Sequence, residues 1–110
     1  LKDLAARGIR VRVLGKLKGP DGAVAECSFK LRRLHVRAII RDGTRAFVGS
    51  QSLRTLELDK RREVGLFNNN PPVPRRLMQV FDADWEASGG NKHEKSVTKK
   101  DAKKKQQAVA

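Results

Sequence analysis

Two-residue alternation of apolar and polar side chains marks the strands of this chain, because successive residues of a strand face opposite ways. In Ile9-Arg10-Val11-Arg12-Val13-Leu14, the Ile and Val residues point inward and Arg10 and Arg12 outward. Leu34 to Arg41 and Thr44 to Gly49 read as two further strands. Asp42-Gly43 between them is a strong two-residue hairpin turn, since both positions tolerate positive φ. Glu63 to Asn68 reads as another strand through Val64, Leu66 and Phe67, and Asn68-Asn69-Asn70-Pro71-Pro72 ends it.

Helical periodicity appears on either side. Leu1, Leu4 and Ala5 share a face of a short helix to Arg7, with Gly8 placed for a left-handed C-cap. A weak helix is predicted from Ser52 to Lys60. Pro74 suits a first helical turn, and Leu77, Met78, Phe81 and Trp85 then recur at helical spacing to about Ala87, a stripe that reads as core packing. Gly15 to Lys30 is a connection with a Pro20-Asp21-Gly22 turn and a short strand around Val24 to Phe29. Ser88 to Ala110 has no apolar period and is rich in Lys, Gln, Ser and Ala, so it reads as a disordered basic tail. The expected organisation is an α/β domain over residues 1–87, followed by the tail at 88–110.

The chain has 110 residues and a formal net charge of +13. From Ser88 onward, seven Lys stand against Glu94 and Asp101, a net +5, which leaves +8 on the body, mostly as Arg. The body is therefore basic in its own right, which invites a polyanionic partner. Cys27 is the single cysteine, so neither an internal disulfide nor a cysteine-based metal site can form. No signal peptide and no apolar run of spanning length is visible; a cytoplasmic or peripheral-membrane location is expected. The sequence opens on Leu1 inside a helix and its one Met is Met78, which reads as a domain truncated at its N-terminus.

Candidate chemistry lies in the hairpin. His35, Arg37, Ile39 and Arg41 share a face of their strand. With a two-residue Asp42-Gly43 turn, Arg41 pairs with Thr44, Arg37 with Val48 and His35 with Ser50, which sets the Ser50 hydroxyl beside the imidazole. An imidazole transfers protons near neutral pH and can attack phosphorus. A guanidinium binds two phosphate oxygens in a planar fork, and a hydroxyl completes the contacts to a developing oxyanion. A carboxylate is needed to fix the imidazole tautomer, and Glu63 is the candidate. His93, in Lys92-His93-Glu94, reads as a solvated tail residue.

The run His35-x-Arg37, Asp42, Gly49-Ser50-Gln51-Ser52, then Arg62-Glu63-Val64-Gly65, resembles the motif region of the phospholipase D superfamily: His-x-Lys, four residues, Asp, six residues, Gly-Ser or Gly-Gly, any residue, Asn, and later Arg/Asn-Glu-aliphatic-Gly. The lead-in Leu4 to Val13 is similar to the segment upstream of that motif. Arg37 stands in place of the motif Lys and Ser52 in place of the motif Asn. The resemblance implies an α-β-α layered sandwich, here a partial domain. It also implies a phosphodiesterase or phosphatidyltransferase that uses no metal or other cofactor, with a phosphohistidine intermediate.

By position, it implies that His35 is nucleophile or acid/base and that Arg37, Ser50 and Ser52 bind phosphate. Asp42 is then the motif acid, structural at its turn, and Glu63 orients a His. A second motif is required, from a segment N-terminal to Leu1 or from a homodimer. Phospholipid is the first expected substrate and nucleic acid the second. A non-catalytic module that binds nucleic acid or an anionic membrane surface is the remaining alternative, supported by the Arg37 and Ser52 departures.

Overall fold

The computed structural model describes residues 1–17, 24–51 and 54–109. The Pro20-Asp21-Gly22 turn and Ser52 lie outside the described residues. Among the described residues the fold is mixed α/β, with four helices and two small sheets. The chain divides into two units, residues 1–34 with 83–110 and residues 35–82.

The first unit begins with α1 (Lys2–Ala6), which ends as predicted: Gly8 takes φ +84° and its N–H donates to the Ala5 carbonyl. Of the alternating stretch 9–14, only β1 (Arg12–Leu14) is a strand. It pairs in parallel with β2 (Ala25–Cys27), Val13 opposite Glu26. The core here is Val24, Ala25, Cys27 and the fully buried Trp85. The Cys27 thiol donates to the Ser88 carbonyl at 3.0 Å, and the Arg12 guanidinium lies 5.7 Å from the Trp85 ring centroid, within cation–π range.

The segment read as a disordered tail is instead helical. Lys, Gln, Glu and Ala are all strong helix formers, and the absence of an apolar stripe argues against a buried face rather than against a helix. The helix, named by its place in the chain, is α4 (Gly90–Val109). It is fixed at its start. Gly90 lies against the Trp85 indole, where an added Cβ would sit 2.3 Å from ring atoms. The Arg10 guanidinium pairs with Glu94. Ser96 and Thr98 return their hydroxyls to the carbonyls of Lys92 and Glu94 one turn back, both at 3.1 Å.

The second unit is a three-stranded antiparallel sheet in the order β3 (Ala38–Arg41), β4 (Arg45–Gly49), β5 (Gly65–Asn68). α2 (Thr55–Lys60) joins β4 to β5. α3 (Pro72–Ala87) follows β5 with Pro74 in its first turn, and passes into the first unit after Asp82. Along α3 the predicted apolar stripe holds: Leu77, Met78 and Phe81 are half-buried and Trp85 is buried.

The hairpin turn forms as expected, but its register does not. Asp42 and Gly43 take φ +53° and +64°, and the Thr44 N–H donates to the Arg41 carbonyl at 3.1 Å. Thr44, however, stays out of the ladder, which resumes with Arg41 opposite Arg45 and ends with Ala38 opposite Val48. A slip of one residue moves every side chain of a strand to a new partner.

Candidate phosphate site

Arg37 continues β3 one residue beyond the ladder, and its carbonyl accepts a hydrogen bond from the Gly49 N–H at 3.0 Å. On the other side Gly49 pairs with Gly65. Arg37, Gly49 and Gly65 thus lie abreast at one end of the sheet. The two glycines clear the space beside Arg37. The Phe47 ring fills it in part, since a Cβ on Gly65 would meet that ring at 2.2 Å. Gln51 folds over the same point, and its Oε1 is buried with no donor among the described residues.

The next step along brings Ser50 to β5. The Ser50 N–H donates to the Val64 carbonyl at 2.9 Å, and the Val64 N–H donates to the Ser50 Oγ at 3.2 Å. The Ser50 hydroxyl donates to the Glu63 carboxylate. A hydroxyl has one proton to give, so Ser50 holds Glu63 in this arrangement. The expected placement of Ser50 opposite His35 is corrected by the extra turn residue, Thr44: the observed pairing sets Ala38, not Arg37, against Val48.

His35 is exposed, precedes β3, and makes no hydrogen bond among the described residues; Glu63, with Ser50, is not its partner here. Arg37 is half-buried. Asp42 sits at the turn, at the far end of the sheet, with Arg41 3.4 Å away and both side chains exposed. It shapes the hairpin and does not reach the Arg37 end. Ser52 is among the residues not described. Three expected residues, Arg37, Ser50 and Glu63, are therefore brought to one end of the sheet, with His35 two residues before Arg37 on the same chain segment.

The motif resemblance includes Gly49, Gln51 and Gly65 without giving any of them a role. A glycine inside a strand is the signal that marks them, since it commonly means a close approach by another group. No group of three or more His, Cys, Asp or Glu side chains among the described residues is placed to hold a metal ion. No helix among them is long and apolar enough to cross a membrane.

Compared with protein-family models, curated proteins and solved structures, the chain matches none of them.

Proposed function

We propose that this chain carries one half-site of a phospholipase D-type phosphodiesterase or phosphatidyltransferase. The reading rests on the motif resemblance. The observation that supports it is the convergence of Arg37, Gly49-Ser50 and Glu63 at one end of a sheet, joined by the Gly49–Arg37, Ser50–Val64 and Ser50–Glu63 hydrogen bonds. Under this reading the unit 35–82 is the motif part of a layered α-β-α domain, and a second motif completes the site from another segment or a second copy.

In the proposed reaction a neutral imidazole nitrogen attacks phosphorus and the bond to the leaving oxygen breaks. The imidazolium of the other motif gives that oxygen its proton. The same imidazole then takes a proton from water or an alcohol, whose oxygen displaces the phosphohistidine nitrogen. His35 fills one of these two roles. Arg37 neutralises the equatorial oxygens as charge builds, a guanidinium fork that differs in reach from an ammonium. Ser50 positions Glu63, and Glu63 orients an imidazole.

The test is rapid quenching into alkaline denaturant with the complete protein and a labelled phosphodiester in chelator-treated buffer. An alkali-stable, acid-labile protein adduct is expected. Turnover that needs added metal, with no adduct under burst conditions, overturns the reading. Phospholipid vesicles and single-stranded DNA run in parallel separate the two substrate classes.

A further inference from the structure

Arg41 and Arg45 face each other across the ladder rung nearest the hairpin turn, both exposed. Like charges in directly opposed strand positions destabilise a sheet, and folding alone gives no reason for the pair. The carboxylate beside them, Asp42, is itself exposed at the turn and pairs with Arg41.

Two residues further along the same face comes the row Ile39, Phe47, Phe67. Phe67 is 87% exposed, the highest value among the large apolar side chains. It lies tilted against Phe47, with ring centroids 4.9 Å apart and planes at 54°. The ring presents a flat apolar surface to solvent. Beyond it on the same face stands Arg37. The face therefore runs cation pair, aromatic, cation over about 13 Å, four strand residues.

We infer that this sheet face docks single-stranded nucleic acid, with a base stacked on Phe67 and flanking phosphates on the Arg41–Arg45 pair. Guanidinium groups match phosphate oxygens, and an exposed ring stacks an unpaired base whatever its sequence. A membrane-inserting surface would need several protruding apolar groups, whereas this face offers Phe67 and the part-exposed Ile39 among its cations. A duplex keeps its bases stacked and has no face to offer the ring. The unit that bears the face carries nine Lys and Arg against five Asp and Glu, the sign a polyanion requires. The inference is independent of the proposed chemistry at His35.

The test is fluorescence anisotropy of labelled oligothymidine with the complete protein over a range of salt. Phe67→Ala weakens binding by about tenfold without changing the salt slope. Arg41→Gln with Arg45→Gln lowers the magnitude of the logarithmic salt slope by about 1.4. Arg75→Gln, an exposed change on α3, serves as the control and binds like the parent. Phe67→Trp retains binding and adds an indole whose emission is quenched by the oligonucleotide. Binding by Phe67→Ala and by the double-Arg variant that equals the parent's, in affinity and in salt slope, overturns the inference. So does a Phe67-dependent self-association that excludes the oligonucleotide, or a preference for anionic vesicles that both variants abolish.

Discussion

The Ser50 hydroxyl donates to the Glu63 carboxylate while the two main chains bond on either side of it, Ser50 N–H to the Val64 carbonyl and Val64 N–H back to the Ser50 Oγ. This tie joins the end of β4 to the approach of β5 next to Arg37. Removing the hydroxyl frees Glu63 to turn away. In the complete protein, Ser50→Ala is predicted to lower kcat by roughly tenfold, and Glu63→Gln by a similar factor. Because the two act as a unit, the double variant loses far less than the product of the two. A double-mutant cycle on kcat checks this; additive losses would show that the bond does not serve the reaction.

Thr44 occupies the hairpin loop and takes no place in the ladder. Asp42 and Gly43 already hold the positive φ that a two-residue turn demands. Deleting Thr44 is therefore predicted to leave Arg41 opposite Arg45 and the thermal midpoint unchanged within about 2 °C. Hydrogen exchange at the β3 and β4 amides reads the register directly; loss of protection through the ladder would contradict the prediction.

Thr44 also explains what the sequence could and could not disclose. The strands expected over 34–41 and 44–49 form over Ala38–Arg41 and Arg45–Gly49, with the turn at Asp42-Gly43, because those signals are local. Whether Thr44 belongs to the strand or to the loop is decided by cross-strand fit, so the expected His35–Ser50 pairing failed by one residue. The α4 helix was missed for a different reason. Its polar residues favour helix by propensity alone, and the contacts that fix its start, Trp85 under Gly90 and Arg10 on Glu94, join residues distant in sequence. Arg37 and Glu63 were legible because the resemblance marked them. The Ser50–Glu63 partnership depends on the β4–β5 register, which no local pattern encodes.

Glycines 89 and 90 give a paired test of the α4 docking. Gly90→Ala would put a methyl against the buried indole of Trp85, and overpacking of this kind costs about 1–3 kcal/mol. Gly89 has open space around it but takes φ +80°, so Gly89→Ala costs about 1 kcal/mol through backbone strain alone. Urea unfolding is predicted to rank Gly90→Ala as the more damaging change.

The Arg10–Glu94 pair makes the first unit acid-sensitive. The Arg10 guanidinium, bonded to Glu94, holds its carboxyl below the ordinary value of 4.5, with further help from the charge of Arg12, against the opposing effect of burial. A carboxyl whose folded pKa is depressed contributes in full above its unfolded value and loses that contribution as pH falls through the folded one. The parent should therefore lose more stability between about pH 6.5 and pH 3.5 than Glu94→Gln, which carries no titrating group there. Urea midpoints at the two pH values measure this, and equal losses would remove the pair from the account.

The phosphodiesterase reading meets its most direct test at His35. Metal-free turnover of a phosphodiester by the complete protein is measured beside that of His35→Asn, with folding checked by circular dichroism. Whether His35 is nucleophile or acid/base, the variant is predicted to fall by at least about 100-fold. Turnover equal to that of the parent would contradict the proposal.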